Sequence, residues 1–290
     1  MDGILLIDKP QGWTSHDVVN KLRKILNIQK IGHTGTLDPL ATGLLIICIG
    51  KATKFVKFLT DHDKEYLAEI TLGVRTNTDD ITGKVLETKE ITSINPESIF
   101  TVLEQFKGTI AQIPPVASAI KVNGKRAYEY IHKNQEEPVM LSRTVTISAL
   151  NMVSLPVVEA GKATFSIAVS CSKGTYIRSL ARDIGQVLDY PATLSNLRRT
   201  KVGMFSVQDT YQLEDINTNT IQLLDPINYL GFPTLKVQDE WLFKVSNGTF
   251  LPLELFSNLQ DTIVADKFGN PLAIYSYDEA RNIMRLSVLL

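Results

Sequence analysis

The chain has 290 residues, 44% of them hydrophobic and 21% charged, which excludes intrinsic disorder and leaves enough apolar material for one large domain or one domain with an appendage. Two cysteines, Cys48 and Cys171, exclude a disulfide scaffold and a four-cysteine zinc site; His16, His33, His62 and His132 show no metal-ligand spacing, so no built-in catalytic metal is expected. The net charge of −1 argues alone against a polyanionic partner, but basic residues crowd 119–133 (Lys121, Lys125, Arg126, Lys133) and 171–205 (Lys173, Arg178, Arg182, Arg198, Arg199, Lys201), while 209–261 is acidic.

Gly3 to Ile7 reads as a short buried strand closed by a turn at Lys9-Pro10-Gln11-Gly12, without the basic start and long apolar core of a secretory signal. Val18, Val19, Leu22, Ile25 and Leu26 fall at helical spacing, with Thr14 or Ser15 as N-cap. Gly32 to Gly43, with three glycines and a proline, reads as a loop. Leu44 to Ile49 is a continuously apolar strand, far shorter than the ~20 residues that span a bilayer. Tyr66 to Leu72 is another strand, and Asn77 to Gly83 a mobile hairpin tip. Asn95-Pro96 starts a helix. Phe165, Ile167, Val169 and Cys171 alternate as a strand with one core face. It ends at Ser172-Lys173-Gly174-Thr175, and a helix follows with Ile177, Leu180, Ala181, Ile184, Val187 and Leu188 on one stripe. Glu214 to Thr220 is an exposed linker, and Trp241 to Val245 a short helix. Turns at 268–271 and 278–282 then separate β-runs at 263–265, 272–277 and 284–289, a small separate C-terminal meander.

The 32–39 loop carries the chemistry best. Pro39 holds Asp38 extended and aims its carboxylate, while the glycines let a bulky partner approach the backbone. An isolated Asp-Pro is equally a tight turn in which the aspartate caps a nearby N–H. The loop lacks the Gly-Lys-Ser/Thr ending of a phosphate cradle. One carboxylate without a second acid or base does not run ordinary glycoside hydrolysis, but an ionised aspartate serves as a nucleophile. In a dry pocket it needs a cation, and an arginine that forks onto both oxygens is the natural one. Arg178, where 173–178 turns into a helix, is the candidate; an exposed helix-surface arginine is its alternative.

Leu6-Ile7-Asp8-Lys9-Pro10, the 32–39 loop, Ala41-Thr42-Gly43-Leu44-Leu45, Lys64-Glu65-Tyr66, the run from Cys171 to Arg178 and Leu197-Arg198-Arg199 occur in order. Together they closely resemble the bacterial TruB family, tRNA pseudouridine synthases that isomerise the T-loop uridine at position 55. The resemblance is good over about 3–230 and loose beyond. Thr36, where many relatives have alanine, and Ile120, where leucine is more usual, are mild departures.

The resemblance implies an α+β fold. A pseudouridine synthase catalytic domain (1–228) would be built on a mixed or antiparallel central sheet, and a small PUA-like β domain (229–290) would bind RNA. It implies a cytoplasmic monomer that acts on the T-arm stem-loop of tRNA with no cofactor, no membrane and no obligate protein partner. Asp38 would be the catalytic nucleophile on a flipped-out base, buried and steadied by Arg178, with Tyr66 stacking on the uracil or moving a proton. Tyr176 and Leu197 would line the pocket. His33 would enter the gap the base leaves, and Lys9 would lie near the pocket. Lys173, Arg198, Arg199, Lys121 and Lys125 would contact phosphates. The alternatives are a non-catalytic tRNA-binding or folding protein, against which the intact Asp38, Tyr66 and Arg178 set argues, and a synthase with another RNA target.

Overall fold

The computed structural model describes residues 1–122, 124–132 and 138–290; Lys133, counted above among the basic residues, lies outside them. In chain order the strands are β1 (Gly3–Lys9), β2 (Ile31–His33), β3 (Thr42–Ile49), β4 (Lys64–Leu72), β5 (Val74–Thr76), β6 (Val85–Thr88), β7 (Gly108–Gln112), β8 (Lys121–Val122), β9 (Lys125–Arg126), β10 (Arg143–Met152), β11 (Val157–Glu159), β12 (Lys162–Cys171), β13 (Ala192–Val202), β14 (Phe205–Ser206), β15 (Tyr211–Gln212), β16 (Thr234–Lys236), β17 (Thr262–Ala265), β18 (Pro271–Asp278) and β19 (Ile283–Leu289). The helices are α1 (Ser15–Leu26), α2 (Val56–Leu59), α3 (Pro96–Gln105), α4 (Tyr128–His132), α5 (Ile177–Val187) and α6 (Asp239–Ser246).

The main sheet runs β15-β1-β3-β13-β4-β12-β10-β7. The β1–β15 and β3–β13 pairs are parallel and the other neighbours along this path antiparallel, so the sheet is mixed and the fold α+β. β1 and β3 pair along their length, and both are buried on both faces. On one side α1 lays Val18, Val19, Leu22 and Leu26 against Leu5, Ile7, Leu45 and Ile47. Thr14 starts that helix: its hydroxyl accepts from the Asp17 N–H at 3.0 Å while the Asp17 carboxylate accepts from the Thr14 N–H at 2.9 Å. Further along, α5 and α3 cover the inner face of β4, β12 and β13. No helix among the described residues is long and apolar enough to cross a membrane.

The β16–β19 strands form a second sheet. Its Ile263, Ile274 and Val288 join one apolar cluster with Ile4, Leu44, Ile46 and Phe55 of the main unit.

Three local expectations are revised, and one strand, β13, goes unread in the sequence. The 32–43 loop is shorter at both ends, because Gly32 and His33 pair with β3 and β3 itself begins at Thr42. The 77–83 tip is pinned, not mobile: Asp79 and Asp80 are buried, and the Ile81 N–H donates to the Leu194 carbonyl at 2.9 Å. Val187 leaves the apolar stripe of α5 and is half-exposed. β13 lies at the centre of the sheet although its sequence shows no alternation. Register shifts at Leu194/Asn196 and Arg199/Lys201 reset which residues face inward, so Leu194, Leu197, Arg199 and Val202 are all buried.

Candidate functional site

Asp38 lies in the turn between β2 and β3, on a backbone held residue by residue. The Ser15 hydroxyl accepts from the Leu37 N–H at 2.8 Å and donates to the Leu37 carbonyl at 3.2 Å. The Ala41 N–H donates to the Asp38 carbonyl at 3.0 Å, and the Gly12 N–H to the Pro39 carbonyl at 2.8 Å. The carboxylate is not buried as expected; its side chain is 41% exposed. The backbone is thus rigid while the reactive end is open to an incoming partner.

Arg178, on the first turn of α5, is the reverse, with a side chain only 5% exposed. Its Nε lies 2.9 Å from Oδ2 of Asp38, an ion pair, but the N–H is not aimed along that line and makes no hydrogen bond. The expected fork onto both carboxylate oxygens is therefore absent. Nη1 and Nη2 instead donate to the carbonyls of Thr78 and Ala117, both at 2.9 Å, and Nη1 lies 3.7 Å from Oδ2 of Asp80. Arg178 ties together the Asp38 turn, the 77–83 tip and the 113–120 segment.

Tyr66 is buried on β4 and packs in one cluster with Leu37 and Leu197. Burial raises its phenol above the usual value, against the opposing pull of Arg199, so its hydroxyl is neutral at neutral pH. Leu197 faces the same cluster from β13. Tyr176, half-buried, precedes α5. The Gln112 side-chain amide clamps its backbone, Nε2 donating to the Tyr176 carbonyl at 3.1 Å and Oε1 accepting from its N–H at 2.8 Å. Burial raises the Tyr176 phenol too, offset by Arg143 and Arg178.

Lys9, at the end of β1, is wholly buried and donates to the carbonyls of Pro10 and Trp13 at 3.0 and 2.7 Å. Burial lowers its pKa to about 8; the Asp38 charge opposes that shift and the Arg199 charge adds to it. His33, on β2, is lowered by burial and by Arg199 and His16, hence neutral at pH 7, and its Nδ1 has no hydrogen-bond partner. Lys173 stands apart, exposed in the turn before α5 and paired with Asp61.

One of the expected phosphate contacts is corrected, and a second is held by a carboxylate. Arg199 is 2% exposed and donates inward, to the Leu44 carbonyl at 2.7 Å and the Gly35 carbonyl at 3.1 Å. It braces the Asp38 loop from below. Arg198 spends its fork on Asp8, at 3.0 and 2.7 Å. Lys121 and Lys125 are exposed on the β8–β9 hairpin, as a phosphate contact requires.

Sequence reasoning missed Ser15, Gln112, Asp80 and the inward role of Arg199. The only signal was Thr14-Ser15, two candidates for one cap; the hydroxyl that does not cap is free to bond elsewhere.

The chain matches two family models. One, the N-terminal domain of TruB family pseudouridylate synthase, covers residues 23–177; the other, the tRNA pseudouridylate synthase B C-terminal domain, covers 178–226. The chain belongs to the TruB family. It is 45% identical to tRNA pseudouridine synthase B of Listeria welshimeri, over 90% of this chain and 88% of that one, and 43% identical to the protein of that name in Bacillus cereus, over 96% and 93%. Among solved structures it resembles a Cbf5-Nop10-Gar1 complex, with a TM-score of 0.70 and 25% identity over 99% of this chain and 84% of that one. An H/ACA RNP bound to a substrate RNA containing 2'-deoxyuridine shares the fold, with a TM-score of 0.68 and 23% identity over 99% of this chain and 83% of that one. The Asp38–Arg178 ion pair joins residues from distant parts of the chain that only the fold brings to one point.

Proposed function

We propose that the protein isomerises the T-loop uridine of tRNA, position 55, to pseudouridine, with Asp38 as nucleophile on a flipped-out base. The observation that carries this reading is an accessible carboxylate on a rigid backbone, 2.9 Å from a buried guanidinium, in a TruB chain. The N1–C1′ bond breaks, the uracil turns, and a C5–C1′ bond forms, while the proton lost from C5 is balanced by one gained at N1. Atoms and electrons are conserved, so no cofactor is consumed. Asp38 attacks C1′ or C6, or takes the 2′ proton; each route needs its ionised form, which Arg178 supports.

Tyr66, Leu197 and Tyr176 form the apolar walls that hold the base. The neutral Tyr66 hydroxyl suits it to give or relay a proton rather than to begin as a phenolate. His33, neutral and partly buried, is suited to fill the stack that the base leaves, offsetting part of the few kcal/mol that flipping costs. Lys9 adds positive potential below the turn. Lys173 meets phosphate by giving up Asp61, an exposed pair of little intrinsic strength. The β8–β9 hairpin extends this basic surface, and residues 229–290 form a PUA-like unit that binds RNA. The protein works as a cytoplasmic monomer on the T-arm and needs no other protein.

The test is to incubate purified protein, without additives, with an unmodified tRNA transcript and map pseudouridine. Wild type modifies one T-loop uridine. Asp38→Asn abolishes the product and leaves tRNA affinity within about threefold, because the change removes charge but hardly any volume. Product formation by Asp38→Asn at the wild-type rate removes Asp38 from the mechanism.

A further inference from the structure

An aspartate side chain has two torsions, so the place of its Cβ sets most of where its oxygens lie. Arg178 cannot set that place alone, because its Nε meets Asp38 without an aligned hydrogen bond and its other nitrogens are committed to Thr78 and Ala117. The backbone of the turn must do it. At Asp38 and Pro39 the carbonyls accept from backbone N–H groups, of Ala41 and Gly12. At Leu37 both backbone groups are held by one side chain, Ser15.

Ser15 is the first residue of α1, yet Thr14 makes the cap. Its hydroxyl therefore has no helical duty, and it is 2% exposed. It points to a backbone 22 residues away and closes a two-bond clamp on it. The Leu37 carbonyl belongs to the peptide bond that enters Asp38. Clamping it fixes the plane of that peptide and hence the direction in which the Asp38 side chain leaves the backbone. Leu37 is itself buried, so without the hydroxyl its N–H, in the preceding Thr36–Leu37 peptide, is left unpaired away from water while the Leu37–Asp38 peptide loses the donor on its carbonyl, and both are freed to turn.

We propose that Ser15 is a positioning residue for the Asp38 carboxylate, acting through the Leu37 peptide. The inference rests on the reading of Asp38 as nucleophile and deepens it: the catalytic turn and the start of α1 are one rigid unit, and the hydroxyl is its joint. A misplacement of about 1 Å costs a reaction of this kind about 100-fold.

The experiment compares Ser15→Ala, Ser15→Thr, Val18→Ala and Asp38→Asn by single-turnover rate at saturating tRNA, tRNA affinity and thermal unfolding. Val18 is buried on α1 and takes no part in the clamp, so Val18→Ala loosens the helix while keeping the hydroxyl. Ser15→Ala is expected to slow the single-turnover rate by about 10- to 100-fold with tRNA affinity within about threefold. Ser15→Thr, which retains a hydroxyl, recovers most of the rate; if its methyl prevents folding, Ser15→Ala against Val18→Ala decides alone. The proposal is overturned if Ser15→Ala turns over within about threefold of wild type, or if Val18→Ala loses as much rate at equal loss of stability. An active Asp38→Asn protein sinks the assignment of the nucleophile itself. An inactive Asp38→Asn beside a fully active Ser15→Ala sinks only the positioning role.

Discussion

Arg178 and Lys9 show how far a single residue's role depends on what its donors already hold. From composition, an arginine near a lone carboxylate is a forked partner. In the fold its fork is turned to two backbone carbonyls, and only Nε is left for Asp38. Arg178→Lys puts a compact ammonium where three segments share one plane of donors. We expect turnover to fall by at least about tenfold, tRNA affinity to change little, and stability to drop by about 3 kcal/mol, since breaking a buried charge network leaves Asp80 without its guanidinium. Single-turnover kinetics and urea unfolding check both halves; an unchanged midpoint removes the stapling role. Lys9 yields a pH prediction. Its folded pKa is about 8 against 10.5 for an ordinary lysine, so between those values the unfolded chain holds more protons than the folded one. Stability contributed by Lys9 therefore rises with pH across that window. Comparing unfolding free energies at pH 8 and 9.5, wild type should gain about 1.5 kcal/mol relative to Lys9→Met. No difference between the two proteins would show that the ammonium is better solvated than its burial implies.

At the scale of elements, β13 decides the site. Leu197 and Arg199, two residues apart, share its inward face, and the register shifts on either side of them turn Leu194 and Val202 inward as well. Its contact with β3 is confined to Arg198–Thr42 and Arg199–Gly43. Gly43 has φ +101°, and a Cβ there would lie 2.3 Å from the Arg199 carbonyl oxygen and 2.8 Å from its nitrogen. The glycine is what lets β13 approach closely enough for Arg199 to reach the Leu44 and Gly35 carbonyls. Gly43→Ala should destabilise the protein by about 3 kcal/mol and reduce turnover. Thermal unfolding with an activity assay tests this, and a variant of wild-type stability and rate would show that β13 shifts at no cost. Strands with one alternating face, such as β12, and helices with clear caps, such as α1 and α3, were legible from their residues because local pattern and burial agree. β13 was not, since its two bulges erase the period of two on which strand recognition rests.

Over the whole molecule, the two sheets are joined. Ile263, Ile274 and Val288 complete an apolar cluster with β1 and β3, Lys54 donates to the Leu289 carbonyl at 2.7 Å, and Lys57 donates to the Ser287 hydroxyl. A chain cut after Asn228 exposes that apolar face. It should unfold at a lower temperature and aggregate at concentrations where the full chain stays dispersed. Scattering and thermal unfolding of the two lengths decide it, and a truncated chain as stable as the whole would mean the shared cluster contributes nothing. The separate C-terminal meander read from turn spacing is present as strands, with β16 added in parallel to β17. That its apolar face continues into the main core was not visible, because cluster membership depends on which faces meet.

The residues alone pointed to the family, through it to the α+β class, and to Asp38 with Arg178 as its candidate partner, because short ordered motifs are written along the chain. Only the tertiary structure decided that Arg178 staples rather than forks, that Arg199 is buried and turned inward, and that Ser15 and Asp80 lie against the Asp38 turn and Arg178. Those are matters of direction and burial. A hydrogen bond between residues 22 or 100 apart is chosen by how strands and helices pack, and packing is not encoded in any one segment.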